Sequence, residues 1–265
     1  MARVIGVVSG KGGVGKTTLV SNLGSVLALH YKKDVVIVDC NITTSHLGLY
    51  FGMYYYPVSI NHVIKGEAKV TDAMYDYHIN GLRIIPASLS YKDISGTDMA
   101  KIKNVVKELF DKTDIIILDA APGLGREAMG TLQAADEILF VATPFAPAVM
   151  DLIKCHQIAK NMESKPLGIV LNMVGGERYE LTTEEVEKLV ELPVISRVPA
   201  DEEVLKSLAM KMPVVIYNSR AKSTKEFISL AGRLVGEKYR PPGILRSLFG
   251  RFGKRPAAPA KVKSE

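Results

Sequence analysis

Ser9-Gly10-Lys11-Gly12-Gly13-Val14-Gly15-Lys16-Thr17-Thr18 is the stretch on which the reading of this 265-residue chain turns. Gly10 to Thr17 fit the phosphate-loop pattern G-x-x-x-x-G-K-[ST]. Upstream, Arg3-Val-Ile-Gly-Val-Val-Ser9 is short, apolar and β-branched, as a buried strand is. Downstream, residues 18–29 carry apolar side chains at helical spacing. Glycines let successive backbone N–H groups point inward at phosphate oxygens, and the helix N-terminus adds partial positive charge. The predicted phosphate-binding set is Gly12, Gly13, Val14, Gly15, Lys16, Thr17 and Thr18. Lys16 is expected to reach the β- and γ-phosphates, and the Thr17 hydroxyl to bind Mg2+.

Two other strands end in carboxylates. Ile115-Ile-Ile-Leu-Asp119 has the Walker B arrangement, in which Asp119 arrives beside the phosphate loop and holds Mg2+ through water. The following Asp119-Ala-Ala-Pro-Gly-Leu-Gly125 contains Gly123 and Gly125, which permit a loop whose N–H groups sense a γ-phosphate. Arg126 stands at its end. Val35-Val-Ile-Val-Asp39 is the second such strand.

Strand-like and helix-like segments alternate along the chain. Strands are expected at 4–9, 35–39, 82–86, 115–119, 137–143, 167–172 and 193–197. Helices are expected at 17–29, 99–110, 127–135, 147–163, 183–192, 202–210 and 223–238. Most strands are continuous apolar runs, as in sheets covered on both faces. The pattern predicts a single α/β domain over residues 1–239, a doubly wound and mostly parallel sheet with helices on both faces. The Tyr54-Tyr55-Tyr56-Pro57 run reads as packing.

A hydrophobic content of 47% supplies a sizeable core. Cys40 and Cys155 form no C-x-x-C pair, which disfavours a zinc or iron–sulfur site and fits a reducing compartment. The start Met-Ala-Arg-Val-Ile-Gly enters the first strand directly, with no visible signal peptide. No apolar run approaches the roughly 20 residues that a membrane span needs. Residues 237–265 carry eight basic and two acidic side chains, so this segment accounts for the whole net charge of +6. The rest of the chain balances.

That basic segment is the second informative stretch. Gly243-Ile-Leu-Arg-Ser-Leu-Phe-Gly-Arg-Phe-Gly-Lys-Arg255 places Ile244, Leu245, Leu248, Phe249 and Phe252 within about 140° of a helical wheel. Arg246 and Arg251 fall outside that arc. A basic amphipathic helix over 240–255 reads as an element for anionic membrane surfaces. The alternative is a helix that docks on its own domain or on a protein. From Pro256, Pro, Ala and Lys dominate, so 256–265 reads as a disordered tail.

The run K-G-G-V-G-K-T-T closely resembles the deviant Walker A loop of the MinD/ParA family, and the basic tail points to its MinD branch. The resemblance covers roughly residues 2–238 and the tail helix. It implies an ATPase that uses ATP and Mg2+, with Lys11 crossing an ATP-sandwiched homodimer to the partner's phosphates. It implies that 119–125 is switch II and that Asp39 opens switch I. Such proteins usually show D-x-D there, the second Asp positioning the attacking water. This chain reads Asp39-Cys40-Asn41. Asn41 can orient a water but cannot accept a proton, and loss of a positioned base costs ~10²–10⁴-fold in rate. The catalytic set is thus Lys11, Lys16, Asp39 and Asn41, with slow hydrolysis. For adenine, the resemblance points to Asn172 at a strand end, and to Pro199 and Asp201 of a P-x-D loop. Asp201 also fits a helix cap. Cys40 reads as a packed thiol and His46 as a surface residue.

The resemblance further implies reversible membrane association through paired tails. The protein would be cytoplasmic, peripheral at the inner face of the cell membrane, and would position division or other surface machinery with an unidentified protein partner or activator. The alternatives are a ParA-type partition ATPase binding DNA non-specifically, or a slow nucleotide-gated adaptor.

Overall fold

A computed structural model describes residues 2–79, 81–162 and 164–237. The first half runs β1 (Arg3–Val8), α1 (Lys16–Leu29), β2 (Val35–Asp39), α2 (Leu47–Tyr50), α3 (Ile60–Lys65), β3 (Tyr75–Asp76), β4 (Leu82–Ile85), α4 (Tyr91–Ile94), α5 (Ile102–Lys107) and β5 (Ile115–Asp119). The second half runs α6 (Arg126–Ala134), β6 (Glu137–Ala142), α7 (Ala146–Lys160), β7 (Lys165–Val174), α8 (Thr183–Val190), β8 (Val194–Pro199), α9 (Glu202–Ala209), α10 (Val214–Tyr217) and α11 (Lys222–Val235).

The strands form one eight-stranded sheet in the order β3-β4-β2-β5-β1-β6-β7-β8. Neighbours pair in parallel except β3 and β4. The strand interiors are buried throughout β2 and β5 because their Val and Ile side chains meet helices on both faces. α1 lies against the sheet centre. Its Leu19, Leu23 and Leu27 are fully buried, each worth about 1.5–3 kcal/mol of burial. Gly24 makes that contact possible, since a Cβ there would stand 2.5 Å from the Ile37 side chain.

β1 pairs with β5 on one side and β6 on the other, so the chain order reverses at its C-terminal end. Open α/β sheets place their ligand crevice at such a switch point. The residues 10–18 loop sits there.

The single-domain, mostly parallel α/β architecture read from the sequence is the one observed. Differences lie at ends and in short pieces. The helix expected over 99–110 is a 3₁₀ turn at Met99–Lys101 followed by α5, which ends at Lys107. The Met99 carbonyl is pressed by Gly130 of α6, where a Cβ would come within 2.6 Å. α11 stops at Val235 because Gly236, at φ 71°, closes it in the left-handed conformation. Tyr56 packs as expected, donating to the Ala87 carbonyl at 2.9 Å. Tyr54 and Tyr55 instead remain exposed. Among the described residues, no helix is long and apolar enough to cross a membrane. The expected helix at 240–255, with Ile244, Leu245, Leu248, Phe249 and Phe252, and the expected tail at 256–265 lie outside the described residues.

Candidate functional site

The loop between β1 and α1 is shaped for an anion. Gly13 and Gly15 take φ of 79° and 86°, which turn the backbone as only glycine does without strain. Gly15 is the N-cap of α1, no side chain caps that helix, and its first turn holds no acid. Its leading N–H groups therefore have no side-chain acceptor and suit an anion. Lys16 is buried and its ammonium donates to the Ser9 hydroxyl at 2.7 Å, while Ser9 donates to the Lys11 carbonyl at 2.7 Å. Burial pushes the Lys16 pKa down, against the pull of Asp119. A buried cation facing an uncapped helix end is chemically complementary to phosphate.

Two carboxylates complete this side. Asp39 and Asp119 are register partners on adjacent strands β2 and β5, and both are buried. Asp119 accepts from the Thr17 hydroxyl. Its Oδ1 is buried with no hydrogen-bond partner. Burial, then the Asp39 charge, pushes the Asp119 carboxyl up to about 7. An orphaned carboxylate oxygen beside a threonine hydroxyl fits a hydrated Mg2+, which would neutralise the pair.

Asp39 is differently served. It accepts from the Ser45 hydroxyl at 2.6 Å and from the backbone N–H of Asn41 and Leu47 at 3.0 and 3.4 Å. Burial still raises its pKa to about 6, with those hydrogen bonds opposing. Asn41 lines the same cleft, yet its side chain is turned onto its own loop. Its amide donates to the Thr44 carbonyl at 2.8 Å, and its Oδ1 accepts from the Thr44 hydroxyl at 3.0 Å. Thr43 then reaches the Glu127 carboxylate at the start of α6, joining the loop after β2 to the one after β5. A second cavity of about 690 Å³ lies along that junction. Cys40 is a buried thiol whose pKa burial raises strongly, and His46 is exposed at the cleft.

The main cleft encloses about 700 Å³ and brings together the loop, Asn41, Asn172, Pro199 and Asp201. Lys11 is exposed at the loop tip. Asn172 reaches the loop because the β7–β8 pairing slips between Leu171 and Val174, and Met173 sits at φ 57°. Its amide donates to the Val14 carbonyl at 2.8 Å. A Cβ on Gly15 would stand 2.2 Å from that nitrogen.

Asp201 is the α9 cap. Its Oδ1 accepts from the Glu203 N–H at 3.0 Å, and its Oδ2 accepts from the Ser223 N–H and hydroxyl at 3.0 and 2.9 Å. Burial pushes its pKa up, but those hydrogen bonds bring it below the usual carboxylate value. The carboxylate thus fastens α9 to α11 and leaves Pro199 and the adjoining backbone to face the cleft. Beyond it lies an apolar wall from Val204, Leu205, Leu208 and Phe227. The sequence reading missed this wall, although Val204, Leu205 and Leu208 share one face of a short helix. It also missed Tyr50, whose helix of four residues is too short to show a period.

An uncapped glycine loop, a buried lysine, a carboxylate strand end and an apolar recess at a parallel-sheet switch point define a P-loop nucleotide-binding protein. The CobQ/CobB/MinD/ParA nucleotide binding domain matches residues 5–214. The chain belongs to this family, within its MinD/ParA ATPases. An ATP-binding protein of Methanocaldococcus jannaschii is 33% identical over 262 residues, spanning 96% of this chain and 98% of that protein. The cell division ATPase MinD of Pyrococcus furiosus has the same fold, with a TM-score of 0.86 and 31% identity over 89% of this chain and 99% of that one. The septum site-determining protein MinD of Pyrococcus horikoshii, solved with Mg-ADP, gives a TM-score of 0.85 at 27% identity, over 95% and 100%.

Proposed function

We propose that this chain is a MinD-like ATPase whose ATP-bound homodimer associates reversibly with anionic membrane and positions other machinery. The carrying observation is the exposed Lys11 at the tip of a fully built phosphate loop. In the monomer no described residue pairs with its ammonium, while Lys16 already serves the interior. A second lysine held outward is suited to phosphates in a facing subunit.

ATP with Mg2+ is the ligand of this site. Lys16 and the N–H groups of residues 12–18 hold the phosphates. Thr17 and Asp119 would hold Mg2+, which supplies charge neutralisation on the β- and γ-oxygens. Asn172, Pro199 and the backbone about Asp201 border the base recess. Asp39 organises switch I through Ser45, Asn41 and Leu47. Asn41 in place of a carboxylate makes hydrolysis slow, so the dimer is long-lived unless a protein activator intervenes.

In this reading residues 1–239 act as the ATPase domain, and the basic, apolar-rich segment 240–255, which lies outside the described residues with 256–265, serves membrane targeting. One such short segment binds weakly, and two in a dimer bind far better because the second event is intramolecular. The protein is then cytoplasmic and peripheral at the inner membrane face. The test is co-sedimentation with anionic liposomes with and without ATP, beside a DNA-binding assay. ATP-dependent pelleting that disappears on removing residues 243–265 is the expected result. Tighter binding to DNA than to vesicles would replace this reading with a partition ATPase.

A further inference from the structure

One polar group in the main cleft has no part in the scheme above. Tyr50 ends α2 and lines the cleft with Thr18 and the apolar wall. Its hydroxyl stands 3.5 Å from the Thr18 hydroxyl, at the outer limit of a hydrogen bond. A half-buried phenol in that position has a donor proton with no well-formed acceptor.

The phenol is placed by packing rather than by chance exposure. Gly48, two residues earlier, lets Tyr56 close on α2, where a Cβ would meet the Tyr56 ring at 3.2 Å. Gly52 follows α2 and lies against the Lys211 carbonyl, just beyond α9. Lys211 in turn places its ammonium 4.4 Å above the Tyr54 ring. α2 is thereby braced between the first turn of α1 and the end of α9. Tyr50 thus stands between the phosphate loop and the wall formed by Leu205, Leu208 and Phe227. Burial raises its pKa, so the phenol stays protonated and remains a donor near neutrality.

We propose that Tyr50 is a further nucleotide-binding residue, whose hydroxyl donates to the sugar–α-phosphate junction of the bound nucleotide beside Thr18. This rests on the nucleotide reading of the site. The hydroxyl gains a full acceptor when the cleft fills, which rewards a nucleoside polyphosphate over an inorganic one.

The test compares the wild type with Tyr50→Phe by calorimetric titration with Mg-ATP, Mg-ADP and Mg-pyrophosphate. The expected result is a loss of about 3- to 10-fold for both nucleotides, the value of one hydrogen bond, with pyrophosphate unchanged. The ligand-free thermal midpoint of Tyr50→Phe should equal that of the wild type. Equal nucleotide affinities in both proteins overturn the assignment of Tyr50 alone. So does an equal loss for pyrophosphate, which would mean that the hydroxyl only shapes the loop through Thr18. A wild type that binds neither nucleotide overturns the ATPase reading itself, and with it this one.

Discussion

Residues 10–18 are held by the rest of the fold, whereas residues 41–46 are held largely by one another. A Cβ on Gly10 would stand 2.4 Å from the Asp151 backbone of α7, and one on Gly15 would collide with Asn172 from β7. The first turn of α1 leads into a helix buried from Thr18 to Ala28. Switch I instead closes through Asn41–Thr44 and Asp39–Ser45 hydrogen bonds, with one bond from Thr43 to α6. Both segments face the same cleft. The phosphate loop is preformed, so binding does not have to order it. The switch can exchange a few local hydrogen bonds for contacts to a ligand, and small differences between ligands can therefore move it.

The comparison breaks first at Lys16. Lys16→Ala should lower nucleotide affinity by at least about 100-fold, because charge-assisted bonds to two phosphates are lost. Ligand-free stability should hold, since the ammonium is a desolvated cation in the folded state. Titration calorimetry and thermal melts check both. A variant that binds ATP normally would mean that the loop is not the phosphate site.

The next break is Gly15→Ala. The left-handed φ alone costs about 1–2 kcal/mol, and the contact with Asn172 adds to it. Gly125, in extended backbone with open space around it, is the control on the switch II side. Gly125→Ala should cost no more than about 1 kcal/mol, the loss of a glycine N-cap on α6, with no strain or collision added. Equal midpoints for the two variants in urea would remove the contrast between a clamped loop and a loose one.

Acidity tests the carboxylate pair at the boundary of the two regions. Without metal, burial and the mutual repulsion of the pair hold the Asp39 and Asp119 carboxyls raised toward about 6 and about 7, well above their unfolded values. The folded state therefore holds more protons than the unfolded one between about pH 4 and pH 7. The contribution of the pair to stability is present at the acid end and is lost as pH rises through those values. Metal-free melts should show this fall, and Mg-ATP should abolish it by favouring both charged forms. Asp119→Asn should flatten the metal-free profile as well. A metal-free profile that rises across that window would refute the assigned environment.

The legibility of the chain follows the same division. The loop, Asp39 and Asp119 announced themselves because residue type and strand context coincide over short stretches. Asn172, Pro199 and Asp201 were placed at the cleft by resemblance, and the chain does bring them there. Their roles were less legible. The carboxylate of Asp201 caps α9 and anchors Ser223, a partner 22 residues away that no local pattern shows. The aim of Asn172 depends on a register slip in β7 and a strained Met173, and a hydrophobic run encodes neither visibly. Tyr50 and the short helices were invisible because four to six residues carry no measurable period.

Asn41 sharpens the comparison from the switch side. An aspartate there cannot donate to the Thr44 carbonyl. Asn41→Asp should therefore cost about 0.5–1.5 kcal/mol of ligand-free stability while raising the hydrolysis rate, with nucleotide affinity nearly unchanged. Single-turnover phosphate release and urea melts give the two readouts. Equal rates for the wild type and Asn41→Asp would sink the slow-switch proposal, and a stability gain would deny the Asn41–Thr44 clasp.

The smallest effect belongs to Thr43→Val, which keeps the side-chain volume and removes only the hydroxyl that reaches Glu127. Thr43 is exposed, so water replaces the lost partner on Glu127 and the global cost should stay below about 0.5 kcal/mol. The local consequence should be larger than the global one. Segment 41–46 has no other side-chain bond to α6 among the described residues, so it should open more often on its own. Amide exchange over 41–46 should quicken in Thr43→Val, while exchange at α1 and β5 stays at wild-type rates. Local openings of this kind draw on the low end of a protein's stability scale and leave the core untouched. If exchange quickened equally in residues 10–18, the two regions would open as one unit, and the preformed loop beside a separately moving switch would be the wrong description of this cleft.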